Sequence, residues 1–202
     1  MPRTPPRNSR PNQVRIIGGI WRRRMLHFPP ASGLRPTPDR VRETLFNWLG
    51  QELTELTALD LFAGSGALSF EALSRGAALA VAVDASEPAV AGLRENAAAL
   101  GAAGLEVHRA DAMAFLRRET RGFDLIFLDP PFQEEWLPRL WALLAARLNP
   151  GGWLYVEQGK PVEPAPGWEI FRHQRAGQVH YHLLRRVTAG SGQDDIQGKH
   201  KP

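Results

Sequence analysis

The chain has 202 residues, 43% of them hydrophobic, with 25 Lys/Arg against 21 Asp/Glu and no cysteine. That length suits one domain with modest appendages, and the missing thiols exclude disulfides and thiolate metal sites and fit a reducing cytoplasm. No apolar run approaches the ~20 residues that cross a bilayer, so a soluble protein without a membrane partner is expected.

Charge is unevenly placed. Residues 1–42 hold ten Arg and one acid, Asp39, a net of +9; the other 160 residues hold fifteen basic and twenty acidic side chains, a net of −5. A basic arm on a mildly acidic body points to a polyanion held at one edge, with a solvated tail as the alternative.

In chain order, residues 1–12 are Pro-, Arg- and Asn-rich with no periodicity and no apolar segment of a secretory signal, and are expected to be disordered. "VRIIGGIWRRRMLHF" places two short runs around Gly18-Gly19, which predicts a hairpin. "RPTPDRVRETLFNWLG" carries helix signals: Thr37 as N-cap, Pro38 at the first position, Gly50 just past the end, and Val41, Leu45, Trp48 and Leu49 on one face. The hairpin and this helix form an extension over 13–50.

From residue 57 strands and helices alternate. The pattern predicts strands at 57–62, 79–84, 105–109, 123–128 and 153–157, with helices at 66–75, 87–100, 111–118 and 134–147. Such alternation implies βαβ units and a parallel sheet covered on both faces. "WEIFRHQ" and "QVHYHLLRR" flank Gly177 with no helix between them, which closes the sheet with an antiparallel hairpin. The expected architecture is one α/β domain over 51–187, with a disordered tail over 188–202.

"LDLFAGSGALSFEAL" reads as strand, Gly-Ser-Gly turn and helix. Ligands of open α/β sheets bind beyond the carboxyl ends of strands, so Phe62, Ala63, Gly64, Ser65 and Gly66 sit at the expected mouth. The dinucleotide fingerprint would need a third glycine where Ser69 stands. Asp84 ends the next strand, where a carboxylate accepts ribose hydroxyls. Asp111, followed by Ala112, ends the third strand, placed for an adenine amino group, and Asp60 precedes the turn, placed for an ammonium. Each acid alone also reads as a helix cap. Together they describe S-adenosylmethionine, which is cationic and has no pyrophosphate, better than NAD.

"FLDPPF" ends the fourth strand. One reading makes Asp129 an N-cap with Pro130 at the first helical position and Phe132 a hydrophobic staple. The other is chemical. An exocyclic nucleobase amine is a poor nucleophile until acceptors on its N–H groups localise its lone pair. The Asp129 carboxylate and Pro130 carbonyl supply two acceptors. Pro130 and Pro131 add no donor and fix the loop, and Phe132 offers a stacking face for an extruded base.

These motifs resemble the (D/N)-P-P-(Y/F) amino-methyltransferases. "RIIGGIWRRRMLHFPP", "GLRPTPDRVRETLFNWL", "DLFAGSGAL", "FLDPPF" and "AGQVHYHLL", in one order over roughly 14–186, resemble the RsmD family. That resemblance implies a seven-stranded Rossmann-like sheet, S-adenosylmethionine as cofactor, and methylation of guanine N2 in 16S rRNA of the small ribosomal subunit. It also implies that the extension approaches RNA, with Arg15, Arg22, Arg23, Arg24, Arg35, Thr37 and Arg40 as candidate contacts and a monomer as the expected state. "WRRR" alternatively reads as a charged, solvated strand edge. His180 and His182 share a strand face with no third ligand apparent, so no metal is expected. An adenine DNA methyltransferase would need a separate target-reading domain, and a non-catalytic ribosome-assembly protein remains the reading from another class.

Overall fold

The structure is a computed structural model that describes residues 12–29, 37–131 and 136–187. Alternating apolar residues form two short antiparallel strands, Asn12–Arg15 (β1) and Met25–Phe28 (β2), with Val14 opposite Leu26. Val14, Leu26 and Phe28 point inward and Arg15 outward, the period-two pattern of a half-buried ribbon. At the intervening turn Gly19 has φ +71°, and a Cβ there would lie 1.7 Å from the Ser74 carbonyl oxygen. Only glycine admits that approach.

Helix α1 spans Asp39–Leu49 and buries Val41, Leu45 and Phe46 together with Arg42. Pro38, not Thr37, occupies its N-cap position, and no side chain caps the helix. The Thr37 hydroxyl is turned toward Asp129 instead; its cap reading is corrected on that ground.

The alternating region then runs β3 (Thr57–Asp60), α2 (Ala67–Ser74), β4 (Leu79–Asp84), α3 (Glu87–Leu100), β5 (Leu105–Arg109), α4 (Ala112–Arg118), β6 (Phe123–Leu128), α5 (Leu137–Arg147), β7 (Leu148–Gln158), β8 (Trp168–Ala176) and β9 (Val179–Arg186). β7 starts five residues before the predicted strand, because it carries the Asn149-Pro150-Gly151-Gly152 segment through a register shift against β6 between Phe123 and Leu125. Gly151 takes φ +77° there, as an irregularity in a strand permits.

The seven main strands are ordered β5-β4-β3-β6-β7-β9-β8. β5, β4, β3, β6 and β7 are parallel, whereas β9 is antiparallel to both β7 and β8. The seven-stranded, mostly parallel sheet with a closing hairpin is therefore as the sequence pattern led one to expect. α1, α2, α3 and the β1–β2 ribbon cover one face, and α4 and α5 the other. Every residue of α2 is buried, because the sheet lies under it and the ribbon over it, with Trp21 edge-on to Phe70 at 6.5 Å. A helix covered on both sides has no polar stripe.

Candidate active site

Chain order reverses between β3 and β6, and at such a switch point two adjacent strands send their connections to opposite faces and leave a crevice. Asp60 ends β3 and Asp129 follows β6. The glycine turn opens this crevice. Gly64 and Gly66 have φ of +50° and +78°, and a Cβ on Gly66 would sit 2.5 Å from Leu93 and 2.8 Å from Phe70. Phe62 packs edge-on against Trp136 with centroids 5.1 Å apart.

The acids divide by environment. Asp84 is half-buried and braces the turn: its two oxygens accept from the Gly64 and Ser86 N–H groups, each at 2.8 Å. Asp60 is buried and accepts from the Ser69 hydroxyl at 2.8 Å. Burial pushes its carboxyl up to about 7, with the Ser69 bond opposing and the nearby Asp84 charge reinforcing the shift. Asp111 is exposed and caps α4 through the Ala114 N–H at 2.9 Å, while the adjacent Ala112 is buried. The sequence placed Asp60 and Asp84 together at the turn, as the structure does, and Asp111 stands at the end of β5 beyond β4.

Asp129 is half-buried, with Pro130 buried and Pro131 exposed beside it. The first helix described after it starts at Leu137, so Pro130 does not open one. Thr37 Oγ1 donates to Asp129 Oδ2 at 3.5 Å, linking the N-terminal extension to this corner. Burial first, then the charges of Glu157 and Asp60, holds the Asp129 carboxyl well above the usual carboxylate range. Phe132 lies outside the described residues, as does Arg35.

The basic candidates separate. Arg15 is exposed and pairs with Asp39 at 2.9 Å, bordering a groove of about 410 Å³ that also touches Met25 and Thr37. Arg40 is exposed on the first turn of α1. Arg22, Arg23 and Arg24 occupy the ribbon's turn, which lies against the ends of α2 and α3: Trp21 N–H donates to the Ser74 hydroxyl at 2.9 Å, and Arg24 donates to the Ala99 carbonyl at 3.4 Å. Those helices begin at the crevice side, so the "WRRR" turn stands about one α3 length, ~20 Å, from the crevice end of the helices.

Two features escaped the sequence reading. Glu157, 3% exposed near the end of β7, accepts from Tyr155 Oη at 2.7 Å. Glu71, fully buried on α2, accepts from the Ile17 and Gly18 N–H groups, Arg42 and Arg75. An acid at a strand's carboxyl end ("YVEQG") signals Glu157 by the logic that found Asp60 and Asp84; a charge inside an apolar helix ("SFEAL") signals Glu71. Among the described residues, no group of three or more His, Asp or Glu is placed to hold a metal ion.

A doubly covered parallel sheet, a glycine turn after β3 and acids at successive strand ends define the Rossmann-like methyltransferase architecture. A ribosomal protein L11 methylase from Lactobacillus delbrueckii, 21% identical, shares that fold with a TM-score of 0.62 over 81% of this chain and 86% of its own. Residues 14–185 match the family described as Conserved hypothetical protein 95. Ribosomal RNA small subunit methyltransferase D of Escherichia coli is 42% identical over 200 residues, covering 94% of this chain and 98% of its own. Its Haemophilus influenzae counterpart is 38% identical over 181 residues, covering 86% and 94%. The solved Escherichia coli protein yhhF superposes with a TM-score of 0.78 at 42% identity, over 87% of this chain and 98% of that one. The chain belongs to this family, the RsmD family.

Proposed function

We propose that the chain transfers a methyl group from S-adenosylmethionine to the exocyclic N2 of one guanine in 16S rRNA, in assembled or assembling small subunits. The observation that carries this is Asp129: a carboxylate followed by two prolines, at the switch point, across from a glycine turn. The residues fit the cofactor. Gly64 and Gly66 give the turn its positive-φ backbone, with Gly66 packed against Leu93 and Phe70, and the carboxyls beside it, Asp60 and Asp84, are acidic, which suits a cation and not a pyrophosphate. In this reading Asp84 holds the ribose, Asp111 and Ala112 border the adenine, and Asp60 lies toward the ammonium. When bound, S-adenosylmethionine supplies an electrophilic methyl on a sulfonium.

The chain's own residues ready the nucleophile. The Asp129 carboxylate and Pro130 carbonyl accept the two N–H bonds of the amine, which returns its lone pair to nitrogen, and Asp129 then takes the proton that nitrogen sheds. Most of the rate comes from holding the amine in line with the methyl. Phe132, by its place in the motif, stacks on the base. Arg15 and Arg40 flank this corner and Arg22, Arg23 and Arg24 extend the basic track along the ribbon, with Arg35 between in sequence; their forks suit phosphate oxygens. The protein works as a monomer on this reading.

Asp129→Ala tests it. Labelled methyl incorporation into purified small subunits lacking the modification should fall at least ~100-fold, while S-adenosylmethionine affinity by calorimetry holds. Nucleoside digestion of the wild-type product should release N2-methylguanosine. Undiminished turnover in the variant would overturn the amine activation, and another methylated nucleoside would overturn the guanine-N2 assignment.

A further inference from the structure

β8 and β9 close the sheet, and strand polarity decides which end of that hairpin meets the crevice. β7 runs parallel to β6, so both end at the crevice side. β9 runs back against β7, with Gln158 opposite His180 and Glu157 opposite Tyr181. β9 therefore starts, and β8 finishes, at that side. The turn between them, with Gly177 at φ +62°, projects from the same end of the sheet as Asp129. β8 lies three strands beyond β6, ~14 Å across the sheet. Its flank is the one away from β4 and β5, where α3 packs with the ribbon's β2.

Charge sets this hairpin apart from the rest of the body. Residues 43–167 carry nine Lys/Arg and seventeen acids, a net of −8, whereas residues 168–186 carry four Arg and one acid, a net of +3. That acid, Glu169, pairs with Arg185 at the end remote from the turn. At the turn end Arg175 stands opposite His180 and His173 opposite His182, and alternation puts all four on one face.

These side chains present donors outward. Arg175 is exposed, and its Nε donates to the Gly177 carbonyl at 2.6 Å, which fixes the guanidinium at the turn. Its terminal nitrogens make no hydrogen bond among the described residues. His173 Nε2 and His180 Nδ1 lie 3.0 Å apart. A neutral imidazole has one N–H, so whichever ring donates within this pair, the N–H of the other is left over. His182 backs the pair, with its ring stacked 4.2 Å from that of His173 and its Nε2 accepting from the Val162 N–H at 3.2 Å. Burial, then His173, lowers His182 to about 4, so that ring is neutral at pH 7. Burial also lowers His180, and the charges that reinforce the shift, His173 and Arg175, are both basic. A fixed guanidinium fork beside a spare imidazole N–H, on the acid-free half of a hairpin, suits phosphate oxygens.

We propose that the β8–β9 turn, through Arg175 and the His173–His180 pair, is a second contact for the sugar–phosphate backbone of the RNA, on the opposite flank of the crevice from the ribbon. This rests on the rRNA reading above and adds a path to it: the RNA crosses the mouth of the crevice, held on both sides of the target base. Charge complementarity selects RNA over a protein partner, which would dock on an apolar patch. Among the described residues the large exposed apolar side chains are Ile20, Met25, Ile170 and Val187, and none is at this turn.

Binding of the full chain to purified small subunits, measured without cofactor over a range of salt, tests this. Arg175→Ala should weaken binding about 3- to 10-fold and lower the slope of log affinity against log salt by ~1. Arg175→Lys, which keeps the charge, should recover most of the slope. Thermal midpoint and S-adenosylmethionine affinity should stay at wild-type values in both. A photocrosslinker at the turn, Gln178→p-benzoylphenylalanine, should label 16S rRNA, and the same group at Ile170 should not. Crosslinks confined to ribosomal protein, or an Arg175→Ala slope equal to that of wild type, overturn the proposal. Wild-type protein that fails to bind small subunits would overturn the rRNA reading along with it, whereas a wild type that binds them beside an equally tight Arg175→Ala overturns this contact alone.

Discussion

Asp60 shows what a single buried acid does to the stability of this fold. Its pKa rises from 3.8 to about 7 because burial disfavours its charge. Below pH ~4 the carboxyl is neutral in both folded and unfolded chains. Between pH ~4 and ~7 the unfolded chain releases the proton and the folded one keeps it, so folding stability falls as pH rises through that window and levels off above it. The contribution is on the order of 4 kcal/mol. Asp60→Asn should flatten that part of the urea-unfolding profile between pH 4 and 7 relative to wild type; identical pH slopes would show that Asp60 ionises normally. At this scale the sequence was legible wherever a motif supplied the partner. Gly64, Gly66, Asp84 and Asp129 each sit in a local pattern whose chemistry is carried by neighbours in the chain. Glu71 was not found, because its meaning comes from Ile17 and Arg42, which only the fold brings near.

Elements with strong periodicity were predicted almost to the residue: β4, α3, β5 and β6 match. The misses have causes. Pro150, Gly151 and Gly152 signal a turn by type, yet β7 absorbs them as an irregularity because β6 pairs alongside on both sides of it. Thr37 precedes Pro38-Asp39 as an N-cap should, but its hydroxyl turns to Asp129. How the β1–β2 ribbon docks was invisible in the sequence. Asn96 on α3 substitutes for a neighbouring strand: its Oδ1 accepts from the His27 N–H at 3.0 Å and its Nδ2 donates to the His27 carbonyl at 2.8 Å. Asn96→Ala leaves both backbone groups without those bonds and should cost about 1–3 kcal/mol. Amide exchange should quicken across Met25–Phe28 and stay unchanged in β3 and β6. A uniform rise would mean that the ribbon is not separately clasped.

Over the whole molecule, the polarity of charge read from the sequence becomes a geometry. The β1–β2 ribbon lies along α3, so Arg15, Arg22, Arg23 and Arg24 run from the groove beside Thr37 to the far turn. If RNA follows that track, replacing Arg22, Arg23 and Arg24 by Ala should lower the slope of log affinity against log salt by up to ~1 per lost phosphate contact, with little change in S-adenosylmethionine binding. An unaltered slope would remove the far turn from the interface. Fold class was legible at this scale because alternation of element types survives any local error in boundaries. The split of the arginines was not, since nothing in "WRRR" says which end of a helix it will meet.

The strand order also has a consequence for synthesis. Ribbon, α1, β3, α2, β4, α3 and β5 are contiguous in the first 109 residues, and the clasps by Asn96 and Glu71 join partners wholly within that stretch. The corner beyond β6 draws Thr37 from that half but Asp129 and Glu157 from the remainder, and β7 must still be flanked by β9, which ends at Arg186. A chain emerging from its N-terminus can therefore mould the ribbon and the glycine turn well before translation delivers Asp129 and Glu157. The crevice is walled on its second side last, with the closing strand.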